Sequence, residues 1–215
     1  MKSKETILNF WNRVIQIYSP EIGEWIKQEN LYLKKRIKKG SVVLDVGFGD
    51  GKTILEIKDT AETIIGIDKD GERFEKYKKE LSKFNNIEVF LEKAQDMHFK
   101  DDTFDYVICM GNTFGNFGKI QKKALSEMKR VVKVGGIIFI SVYSENALSA
   151  RLDVYKKAGL SAKVISEDGT MLLGEHVFSE QFTKQKLRKV FDKAELKADI
   201  IELTHISYIC ELSKS

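Results

Sequence analysis

Two kinds of segment alternate along the chain. Short, nearly continuous apolar runs stand at residues 41–46, 63–67, 87–91, 104–110 and 137–142, each bounded by turn residues. Between them lie Lys- and Glu-rich stretches with apolar residues at helical spacing, among them a segment that opens at Lys52, 71–84 and 118–130. Runs without polar alternation predict strands buried on both faces of a parallel sheet, with the intervening helices covering those faces. Upstream, Ile7, Leu8, Trp11, Val14, Ile15 and Tyr18 predict a helix over 4–18. Ser19-Pro20-Glu21 opens a second helix that runs past Trp25 toward Lys39, with the proline in a favourable first-turn position. Near the C-terminus the rhythm changes: a helix near 179–195 precedes strands at 197–204 and 206–213. Their link is so short that the pair must be antiparallel.

The first apolar run ends in Asp45-Val46-Gly47-Phe48-Gly49-Asp50-Gly51. Glycines there let the backbone turn tightly and approach a ligand, since no Cβ intervenes. A glycine-rich turn between a parallel strand and a helix is where nucleotide-like cofactors bind in open α/β sheets. Asp68 follows the second run directly, where a carboxylate can accept hydrogen bonds from ribose hydroxyls. The spacing differs from the Gly-x-Gly-x-x-Gly of the dinucleotide fingerprint. That difference, and the lack of a catalytic Tyr/Lys or His set, argue against an NAD-dependent oxidoreductase.

Residues 42–51 resemble motif I of the class I S-adenosylmethionine-dependent methyltransferases. The resemblance covers about residues 40 to 142 by motif and reaches the C-terminus by element order. It implies a Rossmann-like α/β fold: a mostly parallel seven-stranded sheet with a terminal antiparallel hairpin, and S-adenosyl-L-methionine as cofactor. It also implies Asp45, Gly47, Gly49 and Gly51 at the cofactor, Asp68 on the ribose and Lys69 beside the adenine. After the third strand, Asp96 matches an acid that accepts the adenine amino proton, flanked by Gln95 and Met97. The fourth strand ends in Met110-Gly111-Asn112-Thr113-Phe114-Gly115-Asn116, similar to motif IV of glycine/sarcosine N-methyltransferase-like members. That places Met110 at the cofactor and Asn112 toward the acceptor. The Asn/Asp-Pro-Pro-Tyr/Phe motif of many nucleobase and glutamine-amide methyltransferases is absent, the one proline being Pro20. Glu127-Met128-Lys129-Arg130-Val131-Val132-Lys133-Val134-Gly135-Gly136 looks like the family's turn into the fifth strand, with Val134 in place of the usual proline.

Residues 143–180 carry a helix with Leu148, Arg151, Leu152 and Tyr155, then two strand-like runs around Glu167-Asp168-Gly169. Asp-Gly between such runs signals a hairpin. The reading is an inserted helix plus β-hairpin that roofs the pocket. Tyr18, Tyr143, Arg151 and His176 are the candidates to reach the acceptor, with Asn112, His176 and Tyr143 the catalytic set. The chain divides as one domain: a helical cap at 1–39, a cofactor core at 40–142, a lid at 143–180, and a C-terminal helix and hairpin at 181–215.

Composition narrows the function. With 215 residues, 42% of them hydrophobic, a full core can form. No apolar run approaches the ~18 residues of a membrane span, and the N-terminal residues lead into an amphipathic segment rather than a signal-peptide core. A cytoplasmic protein is expected. Basic and acidic residues nearly cancel, 36 against 32, which argues against nucleic acid as partner. The densest basic run, Lys34-Lys35-Arg36-Ile37-Lys38-Lys39, reads as the polar end of a helix stopped by Gly40. Cys109 and Cys210 sit in apolar runs with no ligand-spaced neighbours, so they read as buried structural cysteines and no metal site is expected. The expected activity is methyl transfer to a small molecule, with amine nitrogen favoured over oxygen. An RNA or protein acceptor and a non-catalytic binding module are the alternatives, and a homodimer is left open.

Overall fold

The computed structural model describes residues 13–14, 17, 19–174 and 177–214. Most of the helix expected over 4–18, together with Tyr18 and His176, lies outside them.

Seven strands form one sheet in the order β3-β2-β1-β4-β5-β10-β9. They are β1 (Val42–Val46), β2 (Thr63–Asp68), β3 (Ile87–Leu91), β4 (Phe104–Cys109), β5 (Val132–Tyr143), β9 (Leu196–Thr204) and β10 (Ser207–Lys214). Strands β1 to β5 pair in parallel, and β10 pairs antiparallel with both β5 and β9. Strand β1, inside the sheet between β2 and β4, is buried along nearly its whole length, as its apolar run, interrupted only by Asp45, requires. Each fully buried Val or Leu in it contributes roughly 1.5–3 kcal/mol.

Six α-helices of more than one turn stand among the described residues: α1 (Pro20–Arg36), ahead of the first strand, then α2 (Lys52–Ile57), α3 (Gly71–Leu81), α4 (Gln121–Val131), α5 (Leu148–Lys157) and α6 (Lys184–Lys193). Their starts are written in the sequence. The Ser19 hydroxyl accepts from Ile22 N, with Pro20 in the first turn, and Asp70 Oδ1 accepts from Glu72 N and Arg73 N. Such caps are each worth about 1 kcal/mol. Helix α1 stops at Arg36, short of Lys39, and its basic end is bound to the sheet. Arg36 forms a two-armed pair with Glu211 of β10 at 2.6 Å, Tyr32 donates to the same carboxylate, and Lys34 pairs with Glu56. Cys109 and Cys210 are free and buried, and both sit opposite Ile140, on either side of β5.

Helix α6 begins at Lys184 rather than near 179, because Val177–Ser179 form a strand, β8. It pairs antiparallel with β7 (Met171–Leu173), which pairs with β6 (Ala162–Val164). The roof is therefore a three-stranded sheet rather than a hairpin. Arg151 fastens it to α5. This side chain is fully buried and donates to Gly169 O, Gln181 Oε1, Ser179 O and Ser179 Oγ. Two apolar layers cover the faces of the large sheet, and a third cluster fills the space between α1, α5 and the roof.

Candidate active site

The chain leaves β1 toward β2 and β3 on one side and returns to β4 on the other. The carboxyl ends of strands that diverge in this way leave a crevice. Here it opens as a cavity of about 620 Å³.

Its floor is the turn after β1. Gly47 has φ +80° and its amide donates to Ile67 O at 2.7 Å. A Cβ on Gly47 would lie 2.5 Å from the Thr113 methyl, so the glycine turn and the segment after β4 are packed too closely for any side chain there. Gly51, at φ +74°, packs on Leu81 instead and is not part of the cavity wall. Asp68 anchors the turn: Oδ2 accepts from Gly49 N at 3.0 Å and Oδ1 from Asp70 N at 2.9 Å. Burial raises its pKa from its ordinary value despite those bonds and the nearby Arg73.

Two further carboxylates face the same space. Asp45 on β1 has no hydrogen-bond partner among the described residues and is 2% exposed. Burial, with the charges of Asp68, Asp50 and Glu29 around it, pushes its pKa up to about 8. Glu29 on α1 is also buried, and desolvation raises its pKa to about 7 against the opposing bonds from Ser141 and Gly111.

The cavity has two halves. Gly47, Gly49, Asp68, Lys69, Arg73 and Gln95 form a polar half. Ile22, Trp25, Ile26, Phe117, Tyr143 and Val177 form an apolar one. Asp45, Met110 and Gly111 lie on the wall as well, and Glu29 joins it from α1. The Trp25 and Tyr143 rings pack at 4.6 Å, and the Arg151 guanidinium lies 5.1 Å from the Tyr143 ring centre.

Of the residues expected at the cofactor, Asp45, Gly47, Gly49, Asp68, Lys69, Gln95 and Met110 reach the cavity wall, while Gly51, Asp96 and Met97 do not. Asp96 is exposed, and the wall beyond β3 is built by Glu92, Ala94 and Gln95. Met97 is held in the core, its amide donating to Glu127 and its carbonyl accepting from Arg130. Tyr143 lines the apolar half; Asn112 does not line the cavity. Asn112 is 1% exposed at φ +62°, and its amide group is consumed by protein: Oδ1 accepts from Tyr143 N, and Nδ2 donates to Glu180 O. It ties the end of β4 to β5 and to the segment after β8. Its neighbour Asn116 lines the cavity instead, with a buried Oδ1 that has no partner. Arg151 serves the roof, as described. No group of three or more His, Cys, Asp or Glu capable of holding a metal exists among the described residues.

S-adenosylmethionine suits this donor set. Its sulfonium and ammonium are cations for a cavity with unneutralised carboxylates, and its ribose hydroxyls are donors for Asp68. Gln95 Oε1, Glu92 Oε2 and Asp70 Oδ2 are buried acceptors without partners on the same wall. Buried polar atoms of this kind are normally satisfied by a ligand or water.

Residues 43–136 match the family described as a methyltransferase domain. An uncharacterised protein of Methanocaldococcus jannaschii is 29% identical over 202 residues, covering 86% of this chain and 91% of that one. A ribosomal protein L11 methyltransferase of Dictyoglomus thermophilum is 33% identical over 127 residues, 59% of this chain but only 39% of that protein. The crystal structure of the PH0226 protein from Pyrococcus horikoshii superposes with a TM-score of 0.72 at 22% identity, covering 93% of each chain. The sheet order is that of the class I methyltransferase fold, and residues 43–136 within it carry the match to a methyltransferase domain.

Proposed function

We propose that this enzyme methylates a compact small molecule, preferentially at an amine nitrogen. The observation that carries the reading is the apolar half of the cavity, enclosed by α1, β5 and the roof and sharing about 620 Å³ with the cofactor half. Pockets of roughly 300–1,000 Å³ take one drug-sized ligand, so little room remains beside the cofactor for anything but a compact acceptor. When bound, the sulfonium supplies an electrophilic methyl group, so no covalent enzyme intermediate is required. The chain's own work is alignment and exclusion of water. Asp68, Lys69 and Gln95 hold the nucleoside end, Asp45 and the Gly47–Gly49 turn hold the cationic end, and Trp25 and Tyr143 wall off the acceptor. Alignment of this kind can supply roughly 7–11 kcal/mol.

No helix among the described residues is long and apolar enough to cross a membrane, and the near balance of charge supports a cytoplasmic enzyme that does not act on nucleic acid. The partition into cap, core, lid and C-terminal hairpin follows the same division: the core carries the cofactor, and cap and lid carry the acceptor. A homodimer is compatible with this arrangement. The similarity to a ribosomal protein L11 methyltransferase favours one second reading, a protein acceptor. The test is transfer of labelled methyl from S-adenosylmethionine to a panel of small amines and alcohols, with purified ribosomal proteins in parallel. Label in an amine supports the proposal, whereas label confined to protein overturns it.

A further inference from the structure

We propose that Glu29 is the acceptor-binding carboxylate of this site, selecting a small amine with an apolar body and taking the proton its ammonium must lose. This rests on the small-amine reading above and narrows it.

Glu29 belongs to the helical cap, yet its carboxylate is built into the sheet end. Oε2 accepts from Ser141 Oγ of β5 at 2.5 Å and from Gly111 N, at the end of β4, at 3.2 Å. Ser141 Oγ in turn accepts from Trp25 Nε1 at 3.1 Å. Two strands and one helix thus fix a single oxygen. The other, Oε1, has no hydrogen-bond partner among the described residues, and the residue lines the cavity at its apolar half. No Lys, Arg or His pairs with Glu29 among the described residues. The titratable groups that feel its charge are Asp45 from β1 and Cys109 from β4, neither of them cationic; Tyr143 shares the cavity wall, and the wall's cations, Lys52, Lys69 and Arg73, have no ion pair with Glu29.

A buried carboxylate with hydrogen bonds on one oxygen and no counter-charge is incomplete. Burying an unpaired charge is costly, and the cost is relieved by a cation or a proton. The cavity mouth offers the first, since an entering ammonium would meet Oε1 with Trp25 and Tyr143 around its apolar body. The Trp25 face adds its own attraction for a cation, one face of Tyr143 being already taken by the Arg151 guanidinium. The same contact solves a chemical problem, because an ammonium has no lone pair. One N–H bond breaks and its proton goes to Glu29 Oε1, leaving a neutral amine. The nitrogen pair then forms the N–C bond to the methyl carbon while the S–C bond breaks and its electron pair stays on sulfur. The product leaves as the N-methylammonium, and Glu29 returns its proton to water. A carboxyl whose pKa is about 7 can run in either direction near neutral pH.

The test uses the intact protein saturated with S-adenosylhomocysteine and titrated calorimetrically with 2-phenylethylamine or with its uncharged isostere 2-phenylethanol. The wild type is expected to prefer the amine. Glu29→Gln, which retains an acceptor for Gly111 N and Ser141, is expected to lose about 10- to 100-fold in amine affinity. Alcohol affinity and S-adenosylhomocysteine affinity should stay unchanged. Amine affinity in the wild type should rise through pH 7, where Glu29 ionises, and the variant should lose that rise. Glu29→Asp keeps the charge and should retain the amine preference at lower affinity, which serves if the Gln protein does not fold. Equal amine affinity in wild type and Glu29→Gln, no amine binding to the wild type, or a parallel loss of S-adenosylhomocysteine affinity would each overturn the proposal; the last would assign Glu29 to the cofactor. Methyl transfer to small amines separates the two readings. Transfer that survives Glu29→Gln unchanged removes Glu29 and leaves the amine reading standing, whereas transfer to no amine removes both.

Discussion

Asp45 should make the ligand-free protein less stable as the solution turns alkaline. Its carboxyl is ordinarily ionised above pH about 4, but in the folded chain its pKa is about 8. Between those values the folded state holds a proton that the unfolded state has released, so folding is progressively penalised as pH rises. Below pH 4 the penalty is absent, and above pH 8 it is complete. A difference of about four pH units at ~1.4 kcal/mol each gives a ceiling on the order of 5 kcal/mol. Glu29 adds a penalty of the same sign, complete above pH 7. The acids whose pKa is lowered, Asp105, Glu127, Asp168 and Glu211, stay ionised in the folded chain but protonate in the unfolded one at about pH 4–5; that opposite tilt is common to wild type and variant and cancels in their difference. Asp45→Asn removes the ionisable group while nearly preserving shape. Urea denaturation of the ligand-free proteins should show the variant more stable by about 2–5 kcal/mol at pH 8.5 and nearly equal to wild type at pH 4.5. Its affinity for S-adenosylmethionine should fall, because the buried carboxylate is there for the cofactor's cations. A stability gain independent of pH, or a gain with undiminished cofactor affinity, would refute the account.

Other expectations follow from single contacts. Asp68→Ala removes the acceptor for both Gly49 N and Asp70 N and should weaken S-adenosylhomocysteine binding by at least ~10-fold in a protein that still folds; unchanged affinity by calorimetry would remove Asp68 from the site. Asn112→Ala deletes a buried side chain with bonds to two segments and puts alanine at φ +62°, so thermal denaturation should show a loss of roughly 2–4 kcal/mol. A variant of wild-type stability with low turnover would instead give Asn112 a role in the chemistry. Arg151→Met should loosen the roof, since four hydrogen bonds are lost, and limited proteolysis should then cut within residues 162–179 before the core.

Much of the fold was legible because a two-face-buried strand leaves an unbroken apolar run and the helices between such runs are capped conventionally. The turn at the cavity floor was legible for a related reason: Gly47 and Asp68 sit at places where backbone geometry admits few residue types. The acceptor half was harder to read. Glu29 stands in the polar run Lys27-Gln28-Glu29-Asn30 and looks like surface, although Ile22, Trp25, Glu29 and Leu33 form one buried stripe at helical spacing, and an acid inside that stripe was the available signal. Asn112 shows the opposite difficulty. Its position at a strand's carboxyl end suggests a ligand contact, but its left-handed backbone turns the amide into the protein. Asp96 and Glu92 lie four residues apart in one loop, and which of them borders the cavity depends on the loop's path after β3, which spacing does not encode.

The walls of the cavity come from different stretches of the chain. The residues that match the methyltransferase family end at 136 and begin at 43, whereas Trp25, Glu29, Tyr143 and Val177 lie outside that span. On the function proposed above, the donor's floor comes from one contiguous block, and the acceptor walls come largely from the two segments that flank it, with Phe117 the block's own share. A lineage could exchange the flanks and acquire a new recipient while the block stays intact. A protein engineer could do the same by grafting a seventeen-residue helix, provided that the graft keeps its grip on Glu211.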